Sequence, residues 1–282
     1  MRVLSRALML TAAAVFATGA LAAGAPAPKG PRTKDGKPDL NGIWQALNTA
    51  NFDLEPHAAR AALALVPGQF VPVPAPEIVN MGAVGSVPAG LGVVVGDTIP
   101  YLPAALEKKK DNQKNWLTSD PEIKCYLPGV PRANYMPQPF QILQSPSAIF
   151  FAYQYAGAVR NIYLKNPGPA PVDSWMGQSV ARWEGDTLVI DVTGFNDSTW
   201  FDRAGNFHSE QLHVVERYTR TAPDVITYEA TMEDPQTFTK PWKISMPLYR
   251  RLEKNAQLMD FKCVEFVEEL MYGQWRKKPL TR

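Results

Sequence analysis

From Cys125 onward, apolar and polar residues alternate with period two, the signature of strands with one buried face. In SAIFFAYQY the apolar face carries Ile149, Phe151, Tyr153 and Tyr155. In VRNIYL, Arg160 takes the same parity as Ile162 and Leu164. SVARWEGDTLVIDV predicts a hairpin turning at Glu184-Gly185-Asp186, with Leu188, Ile190 and Val192 on one face. LHVVERYTRTAPDVITYEATM predicts a second, turning at Ala222-Pro223-Asp224. WKISMPLYRRL and QLMDFKC read as further strands, and EFVEELMYGQW as a short C-terminal helix. Eight to ten strands with short turns make an antiparallel meander, and closure is the way such a meander removes its exposed edges. The expected fold is mostly β, a closed barrel with a few short helices and a long irregular segment near the N-terminus.

The chain before Cys125 is patterned differently. MRVLSRALMLTAAAVFATGALAAGAPAP has a basic start at Arg2 and Arg6, an apolar stretch, and a small-x-small site at Ala20-Leu21-Ala22. It reads as a signal peptide over residues 1–22, which places the mature protein in the periplasm or outside the cell with no membrane span. A Pro/Gly/Lys leader, 23–41, should be poorly ordered. The single barrel domain then covers 42–282, with an insertion at about 48–122. Within it, helices are expected over Glu55 to Leu65 and Ala104 to Trp116, the latter with Lys108, Lys109 and Lys110 on a solvated face. The Pro/Gly-rich stretch between them cannot propagate a helix.

Composition narrows the function. The 29 basic residues fall to 27 on losing Arg2 and Arg6, matching 27 acidic ones, so no electrostatic footprint for nucleic acid exists. Cys125 and Cys263 either bridge or remain two buried thiols; the sequence leaves both open. Gly177-Gln178-Ser179-Val180-Ala181 mimics a nucleophile elbow but leads into a strand rather than a helix. GAVGSVPAGLG lacks the Lys-Ser/Thr and the helix of a phosphate loop.

Two of the three histidines fall in GFNDSTWFDRAGNFHSEQLHVVERY, residues 194–218. Imidazole titrates near neutrality, so His208 or His213 is a candidate general acid or base, with Asp197, Asp202 or Glu210 fixing its tautomer. The same groups are an alternative ligand set for one divalent metal; no organic cofactor is implied. His213 and Arg217 share a strand face, whereas His208 joins His213 only through a bend. Arg160 on an inward face must be paired, with Asp191 or Glu216, or must grip a ligand carboxylate. Trp175, Trp200 and Tyr228 complete a candidate lining for a small apolar or aromatic ligand.

Asn41-Gly42-Ile43-Trp44 resembles the G-x-W of the first lipocalin strand, where the Trp closes the barrel base. The runs WEGDTLVID, GFNDSTW, HSEQLHVVERY and KCYLPGVPR are similar to those of a large, uncharacterised group of secreted bacterial proteins. That resemblance implies export and carries no catalytic residues over. The expected function is an exported lipocalin-like (calycin-type) barrel that binds a small molecule in its interior, either as an acid–base lyase, isomerase or hydrolase, as a non-catalytic carrier, or as a metal-dependent hydrolase.

Overall fold

The computed structural model describes residues 30–59 and 87–266. Nine strands close into a barrel in sequence order: β1 (Gly42–Ala46), β2 (Phe140–Gln144), β3 (Ile149–Tyr153), β4 (Val159–Tyr163), β5 (Gln178–Glu184), β6 (Thr187–Thr193), β7 (His213–Ala222), β8 (Val225–Glu233) and β9 (Trp242–Arg250). β9 returns to β1 through Trp44 opposite Arg250 and Ala46 opposite Leu248. The two expected hairpins form at the expected turns, with Glu184 opposite Thr187 and Ala222 opposite Val225.

One pairing departs from the meander. β4 and β5 run parallel, joined only through Ile162 with Ser179 and Tyr163 with Val180. Parity requires this: around a closed ring the antiparallel contacts must be even in number, so nine strands need a parallel pair. The connection, residues 164–177, must therefore climb from one end of the barrel to the other across its outer wall. Its Pro167, Pro169 and Pro171 favour an extended path, and we call it the strap.

The inward residues interlock along the axis. Phe140, Phe151 and Tyr153 lie within 6.4 Å of one another by ring centroid, and Tyr218 meets Phe151 edge-on at 5.5 Å. Trp44 is fully buried at the end that holds the tight turns, its indole N–H donating to Leu40 O at 2.9 Å. The Arg220 guanidinium covers its ring and donates to Asp39 O and Pro223 O. Of the expected leader, residues 30–41 pack against this end, where Arg32 pairs with Asp186.

The opposite end carries the long connections. Helix α1 (Pro103–Lys114) and the short α2 (Trp116–Ser119) realise the second expected helix. The helix expected at Glu55 does not form over 55–59, because His57 pairs with Gly90 instead; its remainder lies outside the described residues. Val93 and Val95 bond to Ser245 and Lys243 of β9, extending the wall beyond the end of β1. QLMDFKC is not a strand, since β1 already occupies the free edge of β9. Most of the expected C-terminal helix lies outside the described residues.

Instead, the tail runs along the surface and is fixed by a Cys125–Cys263 disulfide. The bridge spans 138 residues, and chain entropy sets a ceiling of about 5 kcal/mol on its contribution. Among the described residues the tail is also held by Phe261 on Tyr155 at 4.9 Å, by Met259 N donating to Gln154 Oε1 at 3.0 Å and by Phe266 N donating to Ile123 O at 3.0 Å. A disulfide typically contributes about 2–4 kcal/mol, below that ceiling. Cys263→Ser should therefore lower unfolding free energy by about 2–4 kcal/mol in urea titrations.

Candidate functional site

The central charged group of the barrel is Glu216, on β7, with no solvent exposure. Its Oε1 accepts from Asn134 Nδ2 at 2.8 Å, Tyr228 Oη at 2.8 Å and Tyr218 Oη at 3.0 Å. Its Oε2 accepts from Arg160 Nη2 in a close ion pair. Asn134, from a 3-10 turn over Arg132–Tyr135, also accepts from Tyr153 Oη at 3.1 Å. Burial, together with the Glu216 carboxylate, pushes the Tyr218 and Tyr228 hydroxyls up, so both stay protonated as donors. Although burial works against its charge, Glu216 raises Arg160 further and the guanidinium stays charged. Of the two partners expected for Arg160, Glu216 is the one present; Asp191 lies outside the barrel with Arg182.

Arg160 also reaches the neighbouring strand. Its Nε donates to Ser179 Oγ at 2.6 Å, across the seam between β4 and β5. Because those strands pair only at Ile162 and Tyr163, the wall is open beside Arg160. A cleft of about 370 Å³ fills that opening under the strap. Arg160 and Ser179 line it, together with Val159, Tyr163, Val172 and Trp175. Val172 is 73% exposed, Val159 57%, Tyr163 41% and Trp175 37%, and Tyr126 tilts onto the Trp175 ring at 5.8 Å. Gly177 brings the strap against β6: its φ is +62°, and a Cβ there would stand 2.8 Å from Thr193 O.

The two histidines do not share a cavity. His208 is buried, its ring within 5.8 Å of Phe195 and 5.3 Å of Phe201. Its Nδ1 donates to Ser209 O at 2.8 Å, which leaves Nε2 to accept from Thr199 Oγ1 at 2.7 Å. Burial holds its pKa below the usual value, so this imidazole is a neutral packing element. His213 opens β7 on the outer face, 3.3 Å from Asp191. Arg217 follows on the same outer face, paired with Glu184 at 2.8 Å.

The expected carboxylates separate as well. Asp197 and Glu210 are exposed. Asp202 is buried and holds its own loop together, accepting from Leu54 N at 2.8 Å, Ala204 N at 2.9 Å and Asn206 Nδ2 at 2.6 Å. Burial and the neighbouring Asp53 push it up to about 7. Trp200 packs with Ala105 and Phe207 beneath α1, apart from the main core. Among the described residues, no three His, Cys, Asp or Glu side chains converge as a metal-ligand set. Of the ten candidates, the structure brings together Arg160 and Tyr228 through Glu216, and Arg160 and Trp175 through the cleft.

Sequence reasoning missed Asn134, Ser179 as a partner of Arg160, and the rim residues Val159, Tyr163 and Val172. Exposed apolar residues on both β4 and the following Pro-rich run were the only available signal for the rim. No family model matches the chain, and no curated protein or solved structure matches it either.

Proposed function

We propose that this chain is an exported small-molecule-binding protein that takes a flat, apolar or aromatic ligand in the cleft beneath the strap. The observation that carries the reading is the rim: Val159, Tyr163, Val172 and Trp175 converge there while substantially exposed. Contiguous exposed apolar surface on a concave site marks a place for binding. Trp175 and Tyr163 supply flat faces, and Arg160 with Ser179 supplies a few polar groups at the base. The lipocalin-like assignment draws on the Gly42-Ile43-Trp44 run and the buried Trp44 at the barrel end. Export draws on residues 1–22, and on the resemblance of the chain's motifs to those of secreted bacterial proteins. Neither histidine lines the cleft, so a carrier or receptor role is favoured over acid–base turnover at His208 or His213.

The test is fluorescence titration with the neutral dye N-phenyl-1-naphthylamine. The wild type should enhance its emission saturably. Val172→Asp, a change at an exposed position, should weaken binding at least tenfold. Absence of saturable binding, or equal affinity in the variant, would overturn the cleft as the binding site.

A further inference from the structure

We infer that the ligand of the cleft is a short extended peptide, which pairs its backbone with the free edge of β4 at Val159–Asn161 and lays an apolar side chain against Val172 and Trp175. This rests on the cleft being the binding site, the flat apolar group of the ligand then being a side chain. Its own basis is the backbone of β4. Tyr153 N donates to Ala158 O at 2.8 Å, which sets the phase of the β3–β4 ladder. In an antiparallel ladder, successive residues turn their N–H and C=O groups to opposite sides. Ala158, Arg160 and Ile162 therefore face β3, and Val159, Asn161 and Tyr163 face the β5 side. There β5 pairs only from Ile162 with Ser179 onward. The Asn161 N–H and both backbone groups of Val159 find no partner among the described residues. Val159 and Asn161 are exposed and line the cleft, so these groups lie along its wall.

The strap does not supply the missing strand. Its last residues follow the end of β6 instead, where Ser174 N donates to Gly194 O at 2.9 Å and Ser174 O accepts from Asn196 N at 3.0 Å. Pro167, Pro169 and Pro171 have no N–H to offer. A donor, an acceptor and a donor are thus presented in line on one side of a gap that the strap bounds on the other. A peptide backbone answers all three, because an added strand alternates C=O and N–H along one edge. Its side chains alternate between the two faces, so those on the outer face meet the exposed rim. Charge complementarity selects an uncharged stretch. Arg160 is the one charged side chain that lines the cleft among the described residues, and Glu216 already balances it.

The experiment measures displacement of N-phenyl-1-naphthylamine by N-acetyl-Ala-Phe-Ala-amide and by its three singly N-methylated forms. In an extended tripeptide the central N–H points to one edge and the outer two point to the other. Methylation on the edge that meets β4 removes one net hydrogen bond and should weaken binding about 2- to 10-fold. Methylation on the opposite edge should leave affinity unchanged. Asn161→Pro removes an N–H that β3 does not use, and should weaken the peptide by a similar factor without changing affinity for the dye. Asn161→Ala keeps that N–H and should bind both as the wild type does. Backbone amide NMR on wild-type protein gives a readout that needs no variant, since the Val159 and Asn161 N–H signals should shift and exchange more slowly with the parent peptide. Peptide binding without edge dependence, or with those two signals unmoved, would overturn this inference while leaving the cleft as the site. Failure of the peptide to displace a saturably bound dye would do the same. Absence of saturable dye binding would remove both the inference and the cleft reading.

Discussion

Glu216→Gln should destabilise the protein by about 3–5 kcal/mol, while the double variant Arg160→Gln/Glu216→Gln should lose less than either single change. The single substitution leaves the Arg160 charge buried with no opposing charge. Its geometry is otherwise nearly unchanged, because the side-chain amide oxygen at position 216 still faces Asn134, Tyr218 and Tyr228. In the double variant, the new amide on β7 can donate to the oxygen of the new amide on β4, whose own NH2 group can reach Ser179. A neutral hydrogen-bonded pair then replaces the ion pair. Urea unfolding of the four proteins forms a double-mutant cycle, and the coupling should be large and favourable. If the double variant were less stable than the sum of the singles, the charge would not be what the barrel centre is built around.

This pair was partly readable in the chain, and the reason is the strand period. Alternation placed Arg160 with Ile162 and Glu216 with Val214 and Tyr218, so two opposite charges on inward faces could be matched without coordinates. The same parity grouped Leu188, Ile190 and Val192 on one face of β6, which the structure buries. Asn134 carries no such mark, because it sits in a 3-10 turn outside any alternation. The cleft was hidden for a different reason. Side-chain alternation says which face is buried but not which way the neighbouring strand runs, and the parallel β4–β5 seam is what opens the wall. The histidine cluster misled because adjacency in sequence ended at Ser209: His208 turns into the aromatic core, while β7 begins only at His213 and points it outward.

Arg132→Met should cost a comparable amount, about 3–5 kcal/mol at neutral pH, and the cost should shrink as the solution is acidified. Arg132 lies fully buried above the barrel mouth and ties together three segments that share no sheet. Its Nη1 reaches Asp120 at 3.0 Å, its Nη2 reaches Glu122 at 2.7 Å, and its Nε reaches Asn51 at 2.8 Å. Arg203 grips Glu122 from the other side at 2.7 Å. Burial alone would raise Glu122, but Arg203 and Arg132 together hold it down to about 2. A carboxylate lowered in this way stabilises the fold above its unfolded pKa of 4.5, and that contribution fades as pH falls toward 2. Its full size is about 3 kcal/mol. Without Arg132, Asp120 and Glu122 share one buried pocket with less compensation, so both take up protons at higher pH. Protonation removes the repulsion that the variant suffers. The stability gap between wild type and Arg132→Met, followed by urea unfolding from pH 7 to pH 3, should therefore narrow steadily. The same turn presents Asn134 to Glu216, so the variant should also show a perturbed barrel centre in the Tyr218 and Tyr228 side-chain NMR signals. A gap that stays constant with pH would mean that Arg132 acts by packing alone and that the two carboxylates are held by other groups.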